Sequence, residues 1–190
     1  VQKHAQKPPS KICSVSRALC FLRKLEPRMS IYTLSQDQID FIEQNFFEFS
    51  FDNEDELPDK ILFDQLSHPA ELFYLAHIYN WDDGTDVLQW VVDSPLCSKA
   101  TASLIFWRSQ PDYYRRYTLA GDSSVALNDG EVLSLLHSII QKYESNDFCS
   151  IGLAFDPEPE LESLTAKDPK WEVPEALFKK LEGIEIHGPS

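Results

Sequence analysis

Among its 190 residues this chain has only six glycines, four cysteines and one methionine, and each scarcity excludes something. The glycines form no G-x-G-x-x-G or G-x-x-x-x-G-K-[ST] pattern, so the backbone loops that cradle dinucleotides and nucleotide phosphates have no counterpart here. A G-x-S-x-G elbow and an H-E-x-x-H zinc helix are missing too, which removes the commonest signatures of serine hydrolases and metalloproteases. Cys13, Cys20, Cys97 and Cys149 are too far apart for a C-x-x-C zinc or redox motif and read as reduced, mostly buried thiols. Apolar runs all fall well short of the roughly 18 residues needed to cross a bilayer. Bases are scarce as well: 17 Lys and Arg face 31 Asp and Glu, for a net charge of −14.

What is present is unevenly distributed. Residues 1–28 carry seven bases and one acid, leaving ten bases against thirty acids in residues 29–190. This division predicts a basic extension over 1–28, either disordered or lying upstream of the true start near Met29, followed by one acidic helical domain over 29–190. An acidic body of this kind repels nucleic-acid phosphates and anionic membranes and steers basic proteins toward itself.

Helical punctuation dominates the first half of the domain. Ser35 is placed to cap a helix, with Gln38 completing a capping box and Leu34 stapled against Ile39. Ile39, Ile42, Phe46 and Phe49 follow at the spacing of one helix face. The run Asp52, Asn53, Glu54, Asp55, Glu56 lacks the glycine and terminal glutamate of a calcium loop and reads as a solvated acidic linker. A short helix from Pro58 to Leu66 is expected to turn Ile61, Leu62 and Leu66 inward. Pro69 opens the next helix, with Leu72, Leu75, Ala76 and Tyr79 as its buried stripe. His68, Glu71 and His77 invite a metal reading, but Glu71 and His77 fall on different helix faces, so no metal is expected.

The stretch from Glu71 to Tyr117 is the organising centre. Asn80-Trp81-Asp82-Asp83-Gly84-Thr85 reads as a turn whose Asp83 or Thr85 caps a helix over 86–94, with Val87, Trp90, Val91 and Ser94 along one side. Ser98 or Cys97 caps a helix over 99–109 that is apolar nearly all round, the pattern of an enclosed central helix. Tyr113, Tyr114, Arg115 and Arg116 then form the one aromatic-basic patch of the acidic body; its arginines are expected to pair with carboxylates rather than bind nucleic acid. Taken as an ordered set, Tyr79 to Gly84, Trp90, Pro95-Leu96-Cys97, Ala100-Thr101-Ala102 and Ile105-Phe106-Trp107 resemble a small bacterial family, domain of unknown function 4274. The resemblance spans about residues 71–117 and departs from the family pattern at Ser98-Lys99, where an Asp and a Gly are expected. It implies a compact helical domain from a bacterial source and brings no catalytic residues with it.

Beyond this centre, Asn128 to Glu131 begins a helix carrying Val132, Leu135, Leu136, Ile139, Ile140 and Tyr143. Cys149 to Phe155 switches to strand alternation, with residues 184–187 as its expected partner. Pro174 opens a short helix with Leu177, Phe178 and Leu181. No repeat of fixed period is present, although stacked helical hairpins remain compatible with a HEAT-like arrangement. The fold class expected is therefore mainly α, a compact helical-hairpin bundle with a minor C-terminal β element.

For function, these features point to a non-enzymatic protein-binding domain, cytoplasmic and without cofactor or metal, taking a basic protein as partner and neither nucleic acid nor membrane. Its most concrete form is a bacterial immunity protein that neutralises a cognate toxin, such as a basic nuclease, by direct binding. The candidate partner-binding residues are Asp52, Glu54, Asp55, Glu56, Asp82 and Asp83. The alternative is an enzyme or small-ligand domain with its site near the turn from Asn80 to Thr85, using Asp82, Asp83 and His77.

Overall fold

A computed structural model of the protein describes residues 30–51, 56–119, 127–161 and 163–188. The basic extension 1–28 and, in the acidic linker, Asp52, Glu54 and Asp55 lie outside them. Seven α-helices and one two-stranded sheet are found among the described residues, so the protein is mainly α. In chain order the elements are β1 (Ile31–Thr33), α1 (Gln36–Phe46), α2 (Lys60–Phe63), α3 (Pro69–Ile78), α4 (Asp86–Asp93), α5 (Lys99–Arg108), α6 (Pro111–Tyr114), α7 (Leu127–Ser145) and β2 (Glu185–His187).

The caps explain where the helices begin. Ser35 Oγ accepts from the Gln38 N–H at 3.3 Å, and Gln38 Oε1 accepts from the Ser35 N–H at 2.9 Å, closing the expected box on α1. Ile39, Ile42 and Phe46 are buried, but α1 stops at Phe46, so Phe49 lies beyond the helix rather than on its stripe. Helix α3 starts at Pro69 with His68 as its cap, whose Nδ1 accepts from the Ala70 N–H at 3.1 Å. Ser98 rather than Cys97 caps α5, through its hydroxyl and the Thr101 N–H at 3.1 Å.

Two expectations fail for geometric reasons. Helix α2 is one turn, capped by Asp59, and it buries Phe63 against Phe46 and Trp90 rather than Ile61. Two residues advance about 200° around a helix, so a buried Phe63 turns Ile61 outward, and Ile61 is 74% exposed. In α4 the buried positions are Val87, Leu88, Val91 and Val92; Trp90 is half-buried, and Ser94 lies past the helix as its C-cap.

Helix α5 is the axis of the molecule. Every residue from Ala100 to Trp107 is buried, and α3, α4, α6 and α7 all pack on it. Continuous enclosure is the physical reason for its all-round apolar sequence. Helix α7 adds Leu133, Leu135, Leu136, Ile139 and Ile140 to the core.

The chain after α7 has little regular structure and is held by specific anchors. Trp107 Nε1 donates to the Leu177 carbonyl at 3.0 Å, and both residues are buried. The region expected to be a short helix is a 3₁₀ turn, Glu175–Phe178, with Phe178 40% exposed and Leu181 outside it. Residues 149–155 do not form a strand. They contribute two isolated bridges, Leu153 with Ile184 and Phe155 with Leu181. The strand at 185–187 instead pairs in parallel with β1, placing Ile31 against Glu185, Tyr32 against Ile186 and Thr33 against His187. A two-stranded sheet is marginal unless it rests on other structure. Here Tyr32 and Ile186 pack on Leu34, Ile39 and Ala70, and the Tyr32 ring stacks on the His68 ring at 3.9 Å.

Candidate functional site

The acidic residues proposed from sequence fall in two segments, 52–56 and 82–83, and the fold brings Ser50, just ahead of the first, against Asp83 in the second. After α1 the chain turns through Phe47 and Glu48, whose N–H groups both donate to the Glu43 carbonyl. This leads to Ser50, which is buried, and its hydroxyl donates to Asp83 Oδ1 at 2.9 Å. Ser50, two residues ahead of Asp52, is therefore one hydrogen bond from the Asp82-Asp83 turn.

That turn is a 3₁₀ turn, Trp81–Asp83, started by Asn80, whose Oδ1 accepts from the Asp82 N–H at 3.2 Å. It ends at Gly84 with φ +83°, a left-handed backbone that glycine adopts at least cost. The two aspartates have different roles. Asp82 is exposed, and its carboxylate is available to a partner. Asp83 points inward: Oδ1 holds Ser50, its main-chain carbonyl accepts from the Tyr79 hydroxyl at 3.3 Å, and Oδ2 is buried without a hydrogen bond. Burial, together with the negative charges of Asp83 and Asp86, pushes the Tyr79 hydroxyl far above the usual tyrosine range. Neither Asp83 nor Thr85 caps α4 through its side chain, contrary to the expectation for this turn.

Three apolar side chains flank the acidic linker on its described sides. Phe51 is 61% exposed, Leu57 82% and Ile61 74%. Glu56, Asp59 and Asp64 are exposed beside them; Asp59 caps α2 and Asp64 pairs with Lys60. Exposed large apolar groups with acids next to them along the chain match the composition of an interface core with a polar rim. Periodicity could not find them, because it had assigned Ile61 inward and had no reason to single out Phe51 or Leu57. The available signal was the brevity of the segment between Asp59 and Leu66, in which one buried aromatic decides the facing of every neighbour.

The alternative constellation of Asp82, Asp83 and His77 does not converge. His77 Nδ1 lies 3.3 Å from Arg108 Nη2, and its carbonyl accepts from Arg108 Nη1 at 2.5 Å. Arg108 in turn holds Glu160 by two contacts, Nε to Oε2 at 3.2 Å and Nη2 to Oε1 at 3.0 Å. Burial, reinforced by the Arg108 charge and opposed by Glu160, lowers the pKa of His77 below the usual histidine value. A cavity of about 370 Å³ beside the turn is lined by Trp81, Arg108, Ser109, Gln110, Tyr114 and Val132, with neither aspartate in its wall. Among the described residues no group of three His, Cys, Asp or Glu is placed to hold a metal ion, and no helix is long and apolar enough to cross a membrane.

Neither a curated protein nor a solved structure matches the chain. The family model described as Domain of unknown function (DUF4274) matches residues 67–144. That span runs from Ser67, whose N–H donates to Glu71 at the start of α3, to the last turn of α7, and takes in the whole of α5. Over these central helices the chain is similar to the family described as Domain of unknown function (DUF4274).

Proposed function

We propose that the protein is a non-enzymatic binding domain that docks a basic protein through the exposed apolar and acidic residues of the segment from Phe51 to Asp64 and through Asp82. The observation that carries this reading is the exposure of Phe51, Leu57 and Ile61 on both sides of an acidic run, in a body with ten bases against thirty acids. Apolar anchors supply the energy of such an interface, while the surrounding acids accelerate encounter with a basic surface and orient it. Glu56 and Asp82 belong to the contact surface, with Asp52, Glu54 and Asp55 contributed by the linker. Asp83 supports the turn from beneath through Ser50.

In its most specific form the partner is a basic toxin of nuclease type, neutralised one-to-one in the bacterial cytoplasm. Such a role needs stoichiometric binding and no chemistry of its own. The test is binding of the purified protein to the basic protein encoded beside its gene, measured by surface plasmon resonance. Raising salt from about 50 to about 300 mM shortens the screening length and should slow association. The double variant Leu57→Ser/Ile61→Asp should accelerate dissociation by about a hundredfold while leaving the fold intact. A neighbour that does not bind, or binds equally well to that variant and at both salt concentrations, would refute the proposal.

A further inference from the structure

Of the ten Lys and Arg residues among the described residues, six form ion pairs: Lys60, Arg108, Arg115, Lys142, Lys179 and Lys180. Three of the remaining four, Arg116, Lys167 and Lys170, line one cavity of about 550 Å³. With three acids for every base in residues 29–190, a cation would readily find a carboxylate. Three unpaired cations sharing one concavity repel each other, and an anion between them removes that repulsion.

The cavity is built on fixed parts. Asp112, on α6, accepts from the Thr165 N–H at 2.8 Å, the Thr165 hydroxyl at 2.9 Å and the Ala166 N–H at 3.1 Å, while Arg115 donates to it at 3.3 Å. Its charge is thereby satisfied internally. Further along, the Lys170 N–H donates to the Arg115 carbonyl at 2.7 Å. The loop bearing Lys167 and Lys170 is thus pinned at both ends against α6. Arg116 is also held: its Nε donates to the Tyr113 carbonyl at 2.7 Å, and its guanidinium lies 4.0 Å from the centre of the Tyr113 ring. Tyr113 is 40% exposed in the same wall, offering an aromatic surface beside the cations. Asp168 is the one carboxylate of the lining that opposes them without such a network.

We propose that this cavity binds a phosphate monoester of a small ring-bearing molecule, of the size of a nucleoside monophosphate. The phosphate would sit among Arg116, Lys167 and Lys170, with the ring against Tyr113. The volume lies in the range of small-molecule sites. A long nucleic acid is disfavoured, because its phosphates beyond the cavity would meet the surplus of acids, whereas a single ligand meets only the local charge within about 10 Å.

The test uses the full chain and four probes, namely inorganic phosphate, adenosine monophosphate, adenosine and a single-stranded oligonucleotide, followed by calorimetry and by amide chemical shifts. Adenosine monophosphate should bind saturably and shift residues 113–116 and 165–170, phosphate should compete with it, and adenosine should not bind. Each of Arg116→Gln and Lys170→Gln should weaken the monophosphate by about tenfold or more, as expected for a charge-assisted hydrogen bond lost to phosphate. Both variants should keep the wild-type circular dichroism, since neither side chain holds another element. Unchanged affinity in the two variants, absence of saturable binding by both phosphate probes, or tighter binding of the oligonucleotide than of the monophosphate would each overturn the proposal.

Discussion

Glu71 provides the sharpest test of how this fold is held. It is a buried carboxylate, 6% exposed, at the start of α3. Oε2 accepts from the Ser67 N–H at 2.7 Å and the His68 N–H at 2.8 Å; Oε1 accepts from Gln38 Nε2 at 2.7 Å. Gln38 meanwhile accepts from the Ser35 N–H to close the box on α1. One side chain therefore couples the caps of two helices. Glu71→Ala strands three donors at a poorly hydrated site and should cost about 3–4 kcal/mol, lowering Tm by about 6–15 °C. Glu71→Gln keeps one oxygen for the backbone donors but sets its amide nitrogen against the Gln38 amide nitrogen. Flipping Gln38 would relieve that contact only by removing the acceptor for Ser35, so the cost should be about 1–2 kcal/mol. Gln38→Glu alone places two carboxylates in contact and should cost a further about 1–3 kcal/mol. Combined, the exchanged pair restores every donor to an acceptor, so the double variant should be more stable than the sum of the singles by at least about 2 kcal/mol. Urea unfolding followed by tryptophan fluorescence measures all four corners of the cycle. Additive effects within about 0.5 kcal/mol would refute the coupling.

Other consequences can be checked with the same assay. Burial raises the Asp112 pKa, but the N–H groups of Thr165 and Ala166, the Thr165 hydroxyl and Arg115 more than offset it, leaving the carboxyl below its ordinary value. A group depressed on folding stabilises above its unfolded pKa and loses that contribution as pH falls through the folded value. Amide exchange of residues 163–172 should therefore accelerate below about pH 4, and Asp112→Asn should abolish that step. Trp107→Phe leaves the Leu177 carbonyl without its donor and opens a void beside Phe106 and Phe178, for an expected loss of about 2–3 kcal/mol. A methyl group at Gly183 would lie 2.4 Å from the Gly152 carbonyl oxygen, so Gly183→Ala should break the bridge between Leu153 and Ile184 and cost about 1–3 kcal/mol. Gly130 in α7 has open space around its Cα, and Gly130→Ala should stabilise by about 0.4–1 kcal/mol.

Three helix starts were legible because a local cap or an opening proline defines them. Ser35 with Gln38, Pro69 and Ser98 each act within four residues, so sequence alone places them. The enclosure of α5 was legible too, because a helix apolar on all sides has no stable alternative to burial. Facing was legible only for helices long enough to average over several turns. In the one-turn α2, the choice between Ile61 and Phe63 was made by the space between Phe46 and Trp90, which lie 15 residues before and 29 residues after Ile61, too far for a local pattern to link.

The candidate site divides in the same way. Sequence marked the acidic segments and the Trp81–Gly84 turn, since charge and turn chemistry are local properties. It could not tell that Asp82 faces solvent while Asp83 is turned in to Ser50, because two adjacent carboxylates look alike until a distant hydroxyl selects one. Arg115 and Arg116 were separated similarly: Glu172 and Asp112 claim the first, and the second is left on the cavity.

From its sequence alone, then, this protein was determined to be acidic, mainly helical and organised around the segment from Glu71 to Tyr117, because charge balance, capping and helical periodicity act over a few residues. Tertiary structure decided the rest: the pairing of β1 with β2 across 154 residues, the exposure of Phe51, Leu57 and Ile61, and the gathering of three unpaired cations. Each of these depends on which distant side chain fills a space or accepts a hydrogen bond first, and that competition is settled only when the whole chain is packed.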